Sequence, residues 1–243
     1  MKRVFPLLLG GAVIAGLVVG YFWFLNPRRT ANRTTRVVQF IRNPQNYADW
    51  MVRAGTRCEG APFAFPTDGY IGFLWDDSFR PGHRHTGLDI FGGTPPGQTP
   101  VYAAYDGYLT RLSDWKSTVI IRIPQDPLQP GRQIWTYYTH LADEQGNSQI
   151  APQFPPGTSE VFVEQGTLLG FQGNFSGTPG APVGVHLHFS IVKDDGQGHF
   201  LNELEIGNTF DPSPYFNLRL NANDNPPVPQ VCEPADGQVK EQP

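Results

Sequence analysis

The sequence predicts an all-β fold made mainly of antiparallel sheets of short strands. Gly (27) and Pro (24) are scattered among the 243 residues, between short runs rich in Val, Ile, Tyr, Phe and Thr. That is the composition of strands closed by turns, not of a helical bundle. Asp68-Gly69 and Asp106-Gly107 stand beside two of the runs, where such dipeptides set turns. The formal charge is only −4 and no long basic stripe occurs, so nucleic acid is excluded as a partner. The length suits one ordinary domain with flanking segments.

The first flank is a separate element. After "MKR", the run from Val4 to Leu25 holds no charge, and a helix of that length spans the roughly 30 Å hydrocarbon core of a bilayer. Tyr21, Phe22, Trp23 and Phe24 follow where an interfacial aromatic belt would lie. A cleaved signal peptide, with Val18 and Gly20 at a weak cleavage site, is the alternative. The aromatic block and the length of the run favour an uncleaved transmembrane anchor. Lys2 and Arg3 precede the span, whereas Arg28, Arg29, Arg33 and Arg36 follow it. Positive charge alone would therefore keep the remainder in the cytoplasm; the chemistry described below argues for the outside.

Next, "NPRRTANRTTR" reads as a polar, basic tether. Pro44 opens a short helix in which Tyr47, Trp50 and Met51 share helical spacing. From Cys58 the pattern turns to loops and strands. "PTDGYIGFLW" gives a turn and a strand, and "PVYAAYDGYLTRL" reads as a hairpin about Asp106-Gly107. "STVIIRIP" and "QIWTYYTHL" are strands separated by a Pro-rich excursion, and "SEVFVEQGTLLGFQG" continues the series. The expected organisation is an anchor over 1–26, a tether and short helix over 27–57, a β domain over 58–216 and a Pro-rich tail over 217–243. Cys58 and Cys232 flank that domain. An exported protein could join them in one disulfide, and two unrelated thiols are the alternative.

Three histidine clusters carry the candidate chemistry. In "VGVHLHFSIV", strand alternation puts Val185, Leu187, Phe189 and Ile191 on one face and His186, His188 and Ser190 on the other. In "GHRHTGLDI", His85 and Asp89 are four apart across a glycine, with His83 competing for the role of His85. In "TYYTHL", alternation places Tyr138 and His140 on a common face. Each cluster alone is commonly structural. Together they offer four imidazoles, five with His83, and a carboxylate, enough for three zinc ligands with imidazoles to spare for proton transfer.

The order "HTGLD", "YTHL", "HLHF" resembles the M23 metallopeptidases, the lysostaphin-like or LytM-type cell-wall endopeptidases. The resemblance runs from about Pro66 to Tyr215 and takes in "PVYAAYDGYLT", "GTLLGFQGN" and "FDPSPYF". It implies a groove with one Zn2+ per chain, held by His85, Asp89 and His188. His140 and His186 would be the catalytic pair, with Tyr138 orienting His140. His83 and His199 fall outside the motif. The implied activity is hydrolysis of peptide bonds in peptidoglycan stem or cross-bridge peptides, by a domain on the outer side of a bacterial inner membrane and anchored there by the N-terminal helix. The alternative is a non-catalytic relative that regulates another wall hydrolase. Any regulatory protein partner is unspecified. "GGTPPGQTPVYA", "IPQDPLQPGRQ", "ADEQGNSQIAPQFPPGTSEVFVEQG" and "NFSGTPGAPVGVHLHF" are longer than their counterparts in the family, so the groove walls, and with them substrate preference, are not inherited.

Overall fold

The computed structural model describes residues 33–77, 82–220 and 232. The expected anchor over 1–26 lies outside them, and among the described residues no helix is long and apolar enough to cross a membrane. The fold is mainly antiparallel β. Among the described residues there are eleven strands: β1 (Met51–Val52), β2 (Gly69–Phe73), β3 (Leu88–Phe91), β4 (Pro100–Tyr102), β5 (Gly107–Thr110), β6 (Val119–Ile123), β7 (Ile134–Thr139), β8 (Val161–Val163), β9 (Leu168–Phe171), β10 (Leu187–Lys193) and β11 (Thr209–Phe210). The main sheet runs β1-β2-β3-β10-β7-β6-β5-β8, with β11 paired to β10, and β4 and β9 form a separate two-stranded sheet.

Alternation gives the main sheet two distinct faces. Leu88, Ile90, Tyr138, Leu187, Phe189 and Ile191 belong to the principal core cluster on one side. The opposite face carries Asp89, Tyr137, Thr139, His186 and His188 along a cavity. Two smaller apolar clusters bound that face. Phe91 and Tyr70 pack with Val37 and Phe40 at one end, and Ile120, Trp135 and Val192 pack with Phe200 at the other.

Two local expectations are corrected. The α-helix, α1, occupies residues 33–42, ahead of Pro44, and therefore includes part of the stretch read as a tether. Pro44–Trp50 is a 3-10 segment with a kink at Tyr47, and Met51 begins β1. Amphipathicity explains α1: Arg33, Val37 and Phe40, at i, i+4 and i+7, are its buried positions. Second, β4 and β5 do not form a hairpin about Asp106-Gly107. β4 crosses to β9, while β5 pairs with β6 and β8. Of the two alternatives for the cysteines, the disulfide is the one present: Cys58 and Cys232 are joined, so the C-terminal segment is tied to the domain at Cys232.

Candidate metal centre and catalytic groove

Pairing of β3 with β10 sets Asp89 directly opposite His188, and β7 places Thr139 opposite His188 from the other side. His85 lies in the turn that enters β3. That turn must pass close to β10: a Cβ on Gly87 would fall 2.2 Å from the Phe189 carbonyl oxygen and 2.6 Å from Ser190 Oγ. The glycine between His85 and Asp89 is therefore a packing requirement of the strand that carries His188.

The donor atoms of these residues converge. His188 Nδ1 lies 2.8 Å and His85 Nε2 3.0 Å from Asp89 Oδ1, and the two nitrogens are 3.0 Å apart. All three residues are buried, and they form the one group of ligand-type side chains gathered in this way among the described residues. The outward-facing nitrogens are taken. His85 Nδ1 lies 2.8 Å from the Leu74 carbonyl oxygen, and His188 Nε2 lies 2.8 Å from Glu203 Oε1. Such partners fix the tautomer and ring orientation of ligating histidines.

The electrostatics fit a cation. Burial opposes ionisation of Asp89, but the surrounding imidazoles of His85, His186 and His188 hold its carboxyl well below the usual range. His188 is buried too, which disfavours its charged form. Glu203 and Asp89 outweigh this and raise it to about 10. Burial likewise works against the Glu203 carboxylate, yet His188 and two hydroxyl donors lower it to about 2. Two carboxylates thus call for positive charge at one imidazole, a demand that a proton or a divalent metal can meet. Two nitrogens and a carboxylate oxygen are suitable zinc donors, and the residues fit that ion.

His140 and His186 stand beside the cluster, with ring centroids 4.5 Å apart. His140 Nδ1 lies 2.7 Å from the Phe175 carbonyl oxygen and His186 Nδ1 2.6 Å from that of Gly184. Both rings thereby keep Nδ1 as the donor and present Nε2. Burial, then the neighbouring His186 and His188, press His140 down to about 3, so it is a neutral imidazole. His186 Nε2 lies 3.4 Å from Asp89 Oδ1.

The expected link between Tyr138 and His140 is corrected. Tyr138 is buried on the core face, and its hydroxyl accepts the Ala104 N–H at 2.9 Å. His140 follows the end of β7 with φ +69°. This left-handed conformation breaks the alternation that would have sent His140 to the core side with Tyr138. Phe175, not Tyr138, holds its ring. Gly173 allows the close packing here, since a Cβ would fall 2.0 Å from the Ala142 carbonyl oxygen and 2.7 Å from that of His140.

The cavity over these residues measures about 860 Å³. His83 lines it without joining the donor cluster, and His199 is 75% exposed beside Asp195. Glu203 was not found by sequence reasoning. It reaches His188 from a loop thirteen residues beyond Ser190, with no motif or periodicity to mark it.

No family model matches the chain and no curated protein matches it. Solved structures do. The catalytic domain of lysostaphin from Staphylococcus simulans is 19% identical over 61% of this chain and 92% of that domain, with a TM-score of 0.40. Csd3 from Helicobacter pylori is 19% identical over 65% of this chain and 35% of its own, with a TM-score of 0.39. A putative M23 peptidase from Pseudomonas aeruginosa is 21% identical over 76% of this chain and 60% of its own, with a TM-score of 0.37. The chain thus spans about a third and three-fifths of the latter two.

Proposed function

We propose that this protein is a zinc-dependent endopeptidase that hydrolyses peptide bonds in the stem or cross-bridge peptides of peptidoglycan. The observation that carries the proposal is the buried His85–Asp89–His188 donor group at the floor of a cavity shared with two further imidazoles. When bound, zinc supplies Lewis-acid polarisation of the scissile carbonyl.

The chain's own groups do the rest. His140, neutral and with Nδ1 held by the Phe175 carbonyl, offers Nε2 to take a proton from the attacking water. The same imidazole then returns that proton to the departing amine. His186 stands 3.4 Å from Asp89 Oδ1, beside the place where charge develops on the carbonyl oxygen. The sheet strands that carry Asp89 and His188 keep the donor group rigid, and the cavity walls orient the peptide.

The Cys58–Cys232 disulfide supports a site of action outside the reducing cytoplasm. The apolar run from Val4 to Leu25 would anchor the domain there. The test is digestion of purified peptidoglycan by the zinc-loaded full chain in detergent, with mass spectrometry of the products. New amino termini within stem or cross-bridge peptides are the expected result. A zinc-loaded chain that releases nothing from any wall type would refute the proposal and favour a regulatory role.

A further inference from the structure

We propose that α1 is a positioning element of the metal centre, holding His85 through Arg33 and Asp77, and His186 through Phe91. The inference rests on reading the site as a metal-dependent hydrolase, and it concerns a segment that contributes none of the five residues assigned to the chemistry.

The first route runs through one buried ion pair. Arg33 Nε lies 3.2 Å from Asp77 Oδ1, and the two side chains are only 10% and 9% exposed. The other oxygen of Asp77 accepts the Leu74 N–H at 2.6 Å. The Asp77 carbonyl accepts the His85 N–H at 2.8 Å, and the Leu74 carbonyl holds His85 Nδ1 at 2.8 Å. Asp77 therefore closes the turn that fixes both the backbone and the ring of His85, and Arg33 is a cation from α1 beside it. Removing one partner of a buried pair leaves the other charge uncompensated, and the structure around it must adjust. Here the part that must adjust carries His85.

The second route runs through packing. Val37 and Phe40 form one cluster with Tyr70 and Phe91. The Phe91 ring stacks on the His186 ring, with centroids 4.9 Å apart and planes inclined by 25°. Gly72 permits this arrangement, because a Cβ there would fall 2.4 Å from Val37 Cγ2 and 2.8 Å from Phe91 Cε2. The helix therefore reaches the back of the ring on which His186 rests. Hydrogen bonding at Nδ1 sets one edge of His186, and Phe91 sets the plane. The solvent face of α1 makes a control: Val38 is 39% exposed and belongs to neither route.

The experiment compares full-length wild type, Arg33→Ala, Val37→Ala and Val38→Ala. Zinc affinity is measured by competition with a chromophoric chelator, the cobalt(II)-substituted proteins are compared by visible absorption, and melting of the metal-free proteins reports folding. Arg33→Ala is expected to bind zinc about tenfold more weakly, with a changed cobalt spectrum, as loss of a support behind a ligand generally does. Val37→Ala, at a side chain that also lines the cavity, is expected to keep its zinc while kcat falls by about tenfold, the cost of a slightly misplaced group. Val38→Ala is expected to match wild type. If Arg33→Ala does not melt cooperatively, Asp77→Asn is read in its place, since it removes the ion pair and retains an acceptor for Leu74. A folded Arg33→Ala or Asp77→Asn protein with wild-type zinc affinity and cobalt spectrum overturns the inference. Wild type that binds zinc but cleaves no wall peptide refutes the peptidase reading instead, and the zinc comparison still decides the role of α1.

Discussion

Glu203 Oε1 lies 2.8 Å from His188 Nε2, and the same oxygen accepts hydrogen bonds from Ser190 Oγ and Thr86 Oγ1, each at 2.6 Å. One buried carboxylate oxygen is thus shared by an imidazole and two hydroxyls from different segments. Its charge raises the basicity of His188, and its fixed position sets the ring so that Nδ1 faces Asp89. Replacement of Glu203 by Gln retains the shape and an acceptor but removes the charge. Zinc affinity is expected to fall by about tenfold to a hundredfold, as measured by chelator competition. Ser190→Ala, which removes one of two hydroxyl donors, should cost less.

The same pair governs the stability of the metal-free protein. His188 is raised in the fold to about 10 from 6.5, so its contribution is complete below about pH 6.5 and is lost as pH rises toward 10. Glu203 is lowered to about 2 from 4.5, so its contribution is complete above about pH 4.5 and is lost as pH falls toward 2. The pair therefore stabilises fully between about pH 4.5 and 6.5. Urea unfolding of chelator-treated protein should show this plateau declining on both sides, and Glu203→Gln should flatten both flanks. Equal pH dependence in wild type and variant would refute the pairing.

The parts of the site that obey local periodicity were legible in the sequence. Alternation in "VGVHLHFSIV" placed His186, His188 and Ser190 on one face, and the structure has them there, opposite the core residues Leu187, Phe189 and Ile191. His85 and Asp89 were visible through their spacing about Gly87. Alternation misled at His140, because its positive φ turns the ring out of the strand's pattern and no residue type announces that conformation. Glu203 and Phe175 were hidden for another reason: each reaches the site by tertiary approach of a loop. The false hairpin at Asp106-Gly107 has the same origin. The dipeptide lies where the chain bends into β5, but the partner of β4 is set by packing about seventy residues away at Leu168–Phe171.

The Cys58–Cys232 bond spans 174 residues, and the chain-entropy model credits closure of so long a loop with about 5 kcal/mol. Cys58 belongs to the principal core cluster, on the face of the sheet away from the groove. Reduction, or the Cys58→Ser, Cys232→Ser double variant, should therefore lower the melting temperature while leaving zinc content unchanged below the transition. Melting curves with and without reductant, paired with metal analysis, check both halves of this expectation. Loss of zinc from the folded reduced protein would show that the bond also supports the site.

The two histidines of "HLHF" should fail differently. His188 contributes Nδ1 to the donor group, within 3.0 Å of both Asp89 Oδ1 and His85 Nε2. His186 has its Nδ1 committed to the Gly184 carbonyl and its ring between Phe91 and His140. His188→Ala removes a ligand atom and leaves Asp89 and Glu203 facing an emptied position, so metal and activity should disappear together. Asp89→Ala should do the same. His186→Ala and His140→Ala leave the three donor atoms in place, so zinc content should stay near wild type. Turnover should then fall by at least about a hundredfold, the usual contribution of a positioned acid–base group. Metal analysis of each purified variant beside its rate of wall-peptide release separates the two classes. A His188→Ala protein with full zinc, or a His186→Ala protein with none, would reverse the assignment of the pair.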